Sequence, residues 1–403
     1  MQLPLSSARL KAILASIRRP IYLDYHATTP LDPRVFEAMR PYFTKEFGNA
    51  ASRQHAYGWS AEAAVEKARG QIAAAIGASP KEIIFTSGAT EANNLALLGL
   101  AEGRNEKARH FLSAVTEHRA VLDPLKELEQ RGLEVTWLAV DPAGRIDLDQ
   151  IRAAIRPDTI GISFMAANNE IGTVHPLAEI GRIAKEKGVF FHSDAAQAAG
   201  KISLQVEEMG IDLLTISAHK FYGPKGVGAL YVRSQNPKVR LRPQIFGGGH
   251  EQGLRSGTLN VPGIVGMGEA LALAAADMKV EAVKIAVLRD RLWNKLQAAI
   301  PEIRRNGDVA HCLAQNLNLT IPGVPSDWLM MEMKEIAVAS GSACSSASPE
   351  PSHVLRALGL SSEEAKSSIR FGLGRWTTLE EVDEAAAKVS EKVLQFRRIH
   401  GNS

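Results

Sequence analysis

Short apolar segments alternate along this chain with stretches that have the spacing of amphipathic helices. Residues 176–185 have helical spacing, residues 188–191 form an apolar segment that follows them, and residues 212–216 form another. Such alternation is typical of an α/β protein, in which helices cover a mostly parallel sheet. The chain has 403 residues, of which 45% are hydrophobic and 23% are charged, so it can form a large core and two domains.

Two of these apolar segments end in side chains that suit one cofactor. Lys220 follows the segment 212–216, and Asp194 follows the segment 188–191. The carboxyl ends of parallel strands meet at one edge of a sheet, which is where open α/β sheets bind ligands. A lysine there can form a Schiff base if its surroundings lower its pKa, and pyridoxal phosphate (PLP) needs an acid beside its ring nitrogen. The pair predicts a PLP site, although Lys220 could be a surface lysine and Asp194 could only cap the next helix.

A third segment offers a site for the phosphate of that cofactor. Residues 82–86 predict a strand, residues 91–98 predict a helix, and residues 87–90, Ser-Gly-Ala-Thr, join them. Backbone amides at a helix start, hydroxyl groups and a glycine that allows close approach can bind a phosphate. On its own this segment could be a simple helix cap. Together with Lys220 and Asp194 it completes the set of groups that PLP requires.

Several segments resemble, in one order, those of the cysteine desulfurases of the NifS/IscS type, which belong to the class-V aminotransferases among the fold-type I PLP enzymes. The resemblance runs from residue 22 to residue 378. Its most specific segments are 85–91, 116–118, 168–172, 217–226, 255–258, 340–344 and 368–371. It implies a fold-type I PLP-dependent transferase, with a mostly parallel sheet in a large domain and a smaller α/β C-terminal domain. It also implies a homodimer.

The resemblance places a domain boundary near residue 275. We expect a large PLP-binding domain over residues 21–275, whose first segment can pack with the small domain, and a small C-terminal domain over residues 276–403. A helical pattern runs from about residue 277 to residue 299. Its apolar positions are Val280, Val283, Val287, Leu288 and Leu292.

The resemblance assigns the binding of the cofactor to individual residues. Lys220 would bind PLP covalently, Asp194 would pair with the ring nitrogen, and Gln197 would bind the ring hydroxyl. The residues that it implies for the phosphate are Ala89, Thr90, Ser217 and His219, with Thr258 reaching in from the second subunit of the dimer.

Further residues are implied to act on the substrate, L-cysteine. His118 would stack on the cofactor ring and transfer protons. Arg370 and Asn169 would receive the substrate carboxylate, a task that suits the planar guanidinium group, and Asn169 would also contact the cofactor. Lys220, released as an amine, would remove the proton from the substrate Cα. The sulfur would then pass to a cysteine thiolate and leave L-alanine.

The chain has only two cysteines, Cys312 and Cys344. Cys344 lies in residues 339–349, where no side chain is bulky, so we expect a mobile loop whose thiolate takes the sulfur as a persulfide and carries it to an acceptor protein. Cys312 precedes the alternating residues 316–321 and is expected to be a core thiol near a strand. The sequence predicts no metal site formed by the protein alone, although Cys344 could transiently ligate an iron–sulfur cluster with a scaffold partner.

Other functions stay open on the sequence alone. A selenocysteine lyase or another class-V aminotransferase would share the cofactor residues, but an aminotransferase has no use for a mobile Cys344. A non-catalytic PLP-binding scaffold has no physical need for Lys220, Asp194, His118 and Arg370 together with that cysteine. A net charge of +3 gives no basis for nucleic-acid binding, and no apolar stretch is long enough to span a membrane. The sulfur acceptor could be an iron–sulfur scaffold, a tRNA-thiolating enzyme or another carrier protein.

The sequence departs from the family pattern in several places. Residues 1–20 are basic with apolar residues on one helical face, which predicts a surface helix on a cytoplasmic protein, or else a transit segment and an organelle matrix location. Asn49 is followed by Ala50 and not by proline. His26 stands where the family commonly has a small or amide residue, and we favour a structural role for it over a functional one. The chain stops at residue 403, before the longer tail of the members that bind iron–sulfur scaffolds, which leaves that partnership open.

Overall fold

The computed structural model describes residues 19–103, 108–340 and 350–400. The predicted helix within residues 1–20 therefore lies almost wholly outside the described residues. Most of the predicted loop 339–349 also lies outside them, and its first two residues form a strand instead of a loop. Within the described residues the chain forms three sheets, of seven, four and two strands.

Strands and helices alternate through most of the described chain. The strands are β1 (Ile21–Tyr22), β2 (Ile83–Thr86), β3 (His110–Ala114), β4 (Glu134–Leu138), β5 (Thr159–Ser163), β6 (Phe190–Asp194), β7 (Leu213–Ser217), β8 (Gly228–Val232), β9 (Arg304–Arg305), β10 (Asn316–Thr320), β11 (Ile336–Ala337), β12 (Ala339–Ser340) and β13 (Ser368–Gly372). The α-helices are α1 (Pro33–Met39), α2 (Pro41–Thr44), α3 (Ala56–Ile76), α4 (Ala89–Glu102), α5 (Arg119–Gln130), α6 (Leu148–Ala154), α7 (Leu177–Lys187), α8 (Val261–Ala299), α9 (Ser326–Glu332), α10 (His353–Ala357), α11 (Ser362–Lys366) and α12 (Leu379–His400).

The seven-stranded sheet has the spatial order β2-β8-β7-β6-β5-β3-β4. The strands from β7 to β4 in that order are parallel to one another, whereas β8 runs antiparallel to both of its neighbours. Helices cover both faces of this sheet, because successive strand residues turn to opposite sides and both sides are apolar. The predicted α/β fold with a mostly parallel sheet is confirmed.

Two smaller sheets involve the C-terminal part of the chain. The four-stranded sheet is antiparallel, in the order β12-β13-β10-β9. The two-stranded sheet pairs β1 with β11 in parallel, with Ile21 opposite Ile336. The first described strand therefore packs with a strand from the C-terminal part of the chain.

The long helix α8 connects two hydrophobic cores. Its first half packs with α3 on one face of the seven-stranded sheet, through residues such as Met267, and its second half packs with α12 on the four-stranded sheet, through residues such as Leu292. The helix begins at Val261, well before the residue 277 at which its pattern was predicted to start. The boundary near residue 275 stays a prediction.

Three apolar positions that were predicted for this helix are not buried. The exposed side chains are Val280, Val283 and Val287. The buried stripe of its second half runs through Ile285, Leu288, Leu292 and Leu296. Spacing alone does not say which face of a long helix meets the sheet, so the apolar pattern includes both buried leucines and exposed valines.

Candidate active site

A cavity of about 600 Å³ opens at the carboxyl ends of β6 and β7. The predicted site residues that line it are Ala89, Thr90, His118, Asn169, Asp194, Gln197, Ser217, His219, Lys220 and Arg370. A larger cleft of about 1060 Å³, lined by Asp212 and Arg233, lies at the opposite ends of these strands and holds none of them. The chemistry predicted from the sequence is therefore gathered at one edge of the sheet.

Lys220 lies at the end of a short 3₁₀ turn, Ala218–Lys220, which directly follows β7. Its Nζ donates hydrogen bonds to the main-chain oxygens of His26, at 2.7 Å, and Ala27, at 2.8 Å. These two carbonyls hold the amine at the wall of the cavity. The strand end thus places the lysine where the sequence predicted it.

Asp194 ends β6, and its buried carboxylate is held from two sides. Oδ2 accepts a hydrogen bond from Asn93 Nδ2 at 2.7 Å, and Oδ1 accepts one from the backbone N–H of Ala196 at 2.9 Å. The second bond caps the turn after the strand, as the alternative interpretation of this residue proposed. Since Asp194 also lines the cavity, capping and a cofactor contact are compatible.

The start of α4 forms a cradle for an anion. Gly88 precedes it with φ +154°, a backbone conformation that residues with a side chain rarely adopt. β8 passes close by, since a Cβ on Gly228 would lie 2.7 Å from Cα of Gly88. The N–H groups of Ala89 and Thr90 are at the first turn of the helix, where no helical carbonyl can accept from them, so they are available to a phosphate.

Ser217 and His219 stand next to this cradle. A Cβ on Gly88 would be 3.8 Å from Ser217 Oγ, and His219 Nδ1 lies 3.1 Å from Thr28 Oγ1. Burial, together with nearby lysines, lowers the pKa of His219 to about 4. The imidazole is therefore neutral near pH 7, and it would contact a phosphate through an N–H group and not through a charge.

His118 caps the start of α5. Its Nδ1 accepts a hydrogen bond from the backbone N–H of Ala120 at 3.1 Å. Burial lowers the pKa of His118, and the nearby Asp194 carboxylate opposes this shift only in part. A neutral imidazole whose Nδ1 accepts carries its proton on Nε2. His118 can therefore donate a hydrogen bond into the cavity from that nitrogen.

Arg370 brings the four-stranded sheet to the cavity. One terminal nitrogen of its buried guanidinium group pairs with Asp24 Oδ1 at 2.7 Å, and the other donates to the main-chain oxygen of Asn169 at 2.7 Å. Asn168 fixes the turn that carries Asn169, because its Oδ1 accepts from two backbone N–H groups of that turn, at 2.8 and 3.0 Å. The two residues predicted to receive a carboxylate thus lie together, with Asp24 as a partner that was not predicted.

The groups on the cavity wall fit PLP. An amine at Lys220, a carboxylate at Asp194 and the start of α4 face one space. A Schiff base, a protonated ring nitrogen and a phosphate require these three groups.

Comparison with known proteins assigns the family. The sequence profile of the family described as "Aminotransferase class-V" matches residues 21–385. A protein named "Cysteine desulfurase IscS" from Anaeromyxobacter dehalogenans (strain 2CP-C) is 57% identical over 380 residues, which span 94% of this chain and 94% of that protein. The chain belongs to the cysteine desulfurases of the class-V aminotransferase family. As a member of that family, this desulfurase depends on PLP.

Two solved structures share the fold of this desulfurase. A "NifS-like protein" is 37% identical to it with a TM-score of 0.87, over 94% of this chain and 100% of that one. A structure named "SspA in complex with cysteine" is 38% identical with a TM-score of 0.78, over 89% of this chain and 99% of that one. The predicted fold-type I architecture is therefore confirmed.

Two predicted site residues of the desulfurase are not placed in the cavity. Thr258 is exposed in the segment before α8, and its contact with the phosphate of a second subunit stays a prediction. Cys344 lies outside the described residues. The segment that contains it begins beside Arg370, because Ala339 of β12 is the partner of Arg370 in β13.

The far end of that segment is also tied to the site. Ser352 Oγ donates to Glu170 Oε2 at 2.7 Å, in the turn that follows Asn169. His353 Nε2 lies 3.1 Å from the main-chain oxygen of Glu117, which directly precedes His118. Both described flanks of residues 341–349 are therefore attached to the walls of the cavity.

Cys312 has the surroundings of an unreactive thiol. It is half-buried, and its Sγ lies 3.7 Å from the main-chain oxygen of Ile171. Burial raises the pKa of this thiol to about 11, so the protonated form dominates near neutral pH. Across residues 19–103, 108–340 and 350–400, no three His, Cys, Asp or Glu side chains form a group that could hold a metal ion, and no helix has the length and apolar character to cross a bilayer.

Three residues that support the site were missed from the sequence. Asn93 holds Asp194, Asp24 holds Arg370, and Lys201 Nζ donates to Gln197 Oε1 at 3.2 Å. Burial, with the charges of two nearby cations, lowers the pKa of Lys201 to about 7. Of these three, only Lys201 could have been suspected from the sequence, because it lies four residues after Gln197 and the residues between them are small.

Proposed function

We propose that this desulfurase takes sulfur from L-cysteine, leaves L-alanine, and holds the sulfur as a persulfide on Cys344 until an acceptor protein removes it. The observation that carries the proposal is the pairing of Ala339 with Arg370. It starts the cysteine segment on the strand next to the guanidinium group that would bind the substrate carboxylate. An extended chain spans at most about 3.6 Å per residue, so Cys344 can lie no further than about 14 Å from Ser340.

Lys220 and Asp194 would serve the cofactor. When bound, PLP supplies an electron-withdrawing ring that makes the Cα proton of a bound amino acid acidic. Lys220, as a neutral amine, would take that proton, because the carbonyls of His26 and Ala27 hold its Nζ at the cavity wall. Asp194 would keep the ring nitrogen protonated, and the bond from Asn93 fixes its carboxylate for this task.

Arg370 would bind the substrate carboxylate together with Asn169. Its two terminal nitrogens have partners in Asp24 and the Asn169 carbonyl, but among the described residues its buried Nε has no hydrogen-bond partner. Nε is enclosed within the protein, so the substrate carboxylate would pair with the part of the guanidinium group that lines the cavity, and this would orient Cα toward Lys220.

The sulfur step needs no external oxidant or reductant. The Cys344 thiolate would attack the substrate sulfur and form an S–S bond while the C–S bond breaks. The electron pair of that bond stays with the carbon skeleton, which takes up a proton and leaves as L-alanine. His118 would donate a hydrogen bond from Nε2, the nitrogen on which its cap to Ala120 leaves the hydrogen, and would transfer a proton only when it is in the imidazolium form.

We also infer a homodimer in which Thr258 of each subunit completes the phosphate site of the other. The segment that precedes Thr258 presents Phe246, whose side chain is 82% exposed. The same segment is held together by a bond from the Ser256 N–H to the Ile245 oxygen at 3.3 Å. A large exposed aromatic side chain supports an interface at this point. We expect light scattering to give the mass of a dimer, and the mass of a monomer for Phe246→Asp.

The proposed acceptor is an iron–sulfur scaffold protein in the cytoplasm. Support comes from the name IscS that bacterial relatives of this desulfurase carry. A tRNA-thiolating enzyme is the second candidate. Incubation of the persulfide form with each purified acceptor, followed by measurement of sulfur on the acceptor, would decide between them.

Product analysis tests the proposed function. The intact protein, Cys344→Ala and the matched control Cys312→Ala would each be given L-cysteine and a thiol reductant. We expect equal amounts of sulfide and alanine from the intact protein and the control. Cys344→Ala should stay yellow with bound PLP and lose turnover. Normal turnover by Cys344→Ala would show that the persulfide role is wrong, and a lyase or transaminase acting on another amino acid would then be the leading candidate.

A further inference from the structure

A buried chain of hydrogen bonds runs from the four-stranded sheet to Gln197. Asn316 Nδ2 donates to the main-chain oxygen of Glu170 at 3.0 Å and lies 3.2 Å from His26 Nε2. His26 Nδ1 lies 3.0 Å from Gln197 Oε1, and Gln197 Nε2 donates to the main-chain oxygen of His26 at 2.9 Å. Lys201 Nζ donates to the same Gln197 Oε1 at 3.2 Å.

The main-chain oxygens at the two ends fix the direction of every bond in this chain. A carbonyl oxygen only accepts, so it is the amide nitrogens of Asn316 and Gln197 that face the oxygens of Glu170 and His26. Since Asn316 Nδ2 can only donate, His26 Nε2 accepts, and a neutral imidazole must then carry its hydrogen on Nδ1. That hydrogen goes to Gln197 Oε1, which agrees with the orientation that the main-chain bond gives to the amide.

His26 acts in this chain as a neutral group. It is 1% exposed, and burial, followed by the charges of Arg370, Lys201 and Lys220, lowers its pKa well below the usual value. The imidazole therefore stays in one tautomer across the neutral range. His26 is a satisfied buried histidine, as the sequence favoured, but its partners give it a consequence for the site.

We propose that His26 and Lys201 are positioning residues that hold the Gln197 amide with its N–H side toward the bound cofactor. Oε1 of Gln197 is engaged by two donors, so it is not available as an acceptor on the cavity side. Nε2 uses one hydrogen on the His26 main chain and has a second, and Gln197 lines the cavity. The amide can then only donate to the ring oxygen of PLP, which favours the anionic form of that oxygen.

The inference rests on the proposed function, because it is the ring oxygen of PLP on which Gln197 would act. The ring oxygen lies next to the nitrogen that would join Lys220 to the cofactor. When that oxygen is anionic and already accepts a hydrogen bond from Gln197, it attracts the proton on this nitrogen less strongly. If His26 no longer holds the Gln197 amide, this hydrogen bond is lost. The pKa of the bound cofactor, measured from its visible absorption, should then rise. A lost hydrogen bond to a charged group corresponds to a shift of about one pH unit.

The test compares His26→Leu with His110→Leu in the PLP-bound protein. His110 is also buried, and both of its ring nitrogens are bonded, at 2.8 Å to Thr159 Oγ1 and at 2.8 Å to Thr136 Oγ1. It is the first residue of β3, so it lies at the amino ends of the parallel strands, whereas the cavity lies at their carboxyl ends. Absorption would be followed from pH 6 to pH 10. We expect the cofactor pKa to rise by about one unit in His26→Leu and to stay in place in His110→Leu.

A second pair of variants shows whether His26 acts through Gln197. Gln197→Leu should raise the cofactor pKa at least as far, and His26→Leu combined with Gln197→Leu should add nothing to it. Asn316→Leu replaces His26→Leu in the test if the latter fails to fold. The main-chain oxygen of Glu170 stays paired in this variant, because Asn318 Nδ2 also donates to it at 3.1 Å. The cofactor pKa of Asn316→Leu should move in the same direction by a smaller amount.

An unmoved cofactor pKa in His26→Leu and Asn316→Leu, or additive shifts in the double variant, would overturn the inference. Failure of the proposed function gives a different result. If the intact protein binds no PLP or makes no alanine from L-cysteine, the proposed function fails. If it does both and only the pKa shift is missing, the inference alone fails.

Discussion

The two walls of the cavity are held in different ways. On the wall of the seven-stranded sheet, Lys220 and Asp194 follow directly from strand ends, and the phosphate cradle is a helix start. On the wall of the four-stranded sheet, Arg370 is held by Asp24, 346 positions away, and Asn316 contacts His26, 290 positions away. The first wall would bind the cofactor, whereas Arg370 on the second would bind the substrate, and the segment that contains Cys344 starts beside it. The two kinds of binding should therefore be separable by mutation.

The largest effect is expected on the first wall. Lys220→Ala removes both the covalent link to PLP and the base, so turnover of L-cysteine should fall by roughly a thousandfold or more. Borohydride should fix the cofactor to the intact protein and to the surface control Lys238→Ala, and leave Lys220→Ala unlabelled, as read by mass spectrometry. Covalent labelling of Lys220→Ala would place the link on another lysine.

The next effect concerns the second wall alone. Arg370→Ala removes the donors for the substrate carboxylate, so kcat/KM for L-cysteine should fall by about a hundredfold, while the visible spectrum of bound PLP stays the same. Arg291→Ala, which removes a partly exposed ion pair with Asp383, is the control and should change neither. Loss of the cofactor spectrum in Arg370→Ala would contradict the separation of the two walls.

The two walls also differ in how far they could be predicted. Lys220 and Asp194 each end an apolar segment that is visible in the chain, so their position at one sheet edge followed from the order of the elements. Asn93 and Asp24 meet their partners only through the folded packing of distant segments, which no local pattern records. The tautomer of His26 depends on bonds from three separate segments. The role of Thr258 rested on the family resemblance alone, whereas Cys344 was also indicated by the small residues on both sides of it.

A smaller effect is expected on the stability of the protein at Glu170, the residue to which Ser352 attaches the far flank of the cysteine segment. Burial raises the pKa of Glu170 from 4.5 to about 7. The folded state therefore binds more protons than the unfolded state between these values, so this carboxyl group's contribution to stability is present below pH 4.5 and is lost as the pH rises through 7. Glu170→Gln keeps an acceptor for Ser352 without the charge.

Thermal denaturation of both proteins checks this pH dependence. The Tm of Glu170→Gln relative to the intact protein should rise between pH 5 and pH 8, by an amount that corresponds to at most about 3 kcal/mol. Glu363→Gln, at an exposed position, should give no such trend. A Tm difference for Glu170→Gln that does not change with pH would mean that Glu170 is charged in the folded protein.

The smallest effect is expected at the proposed subunit interface. Thr258→Val removes one hydroxyl from the proposed phosphate site, so titration of the apoprotein should show PLP bound about fivefold more weakly. Thr258→Ser keeps the hydroxyl group and should bind PLP like the intact protein. Equal affinity of the valine and serine variants would mean that Thr258 makes no contact with the phosphate.

The destination of the sulfur is the most direct test of how the second wall works. The PLP-bound protein would receive one equivalent of L-cysteine without reductant. After alkylation and digestion, the masses of the peptides that contain Cys312 and Cys344 would be measured by mass spectrometry. We expect one additional sulfur atom on the peptide that contains Cys344, an equal amount of L-alanine, and none on Cys312, whose thiol pKa is raised to about 11. Additional sulfur on Cys312, or alanine without sulfur on either peptide, would contradict the persulfide mechanism.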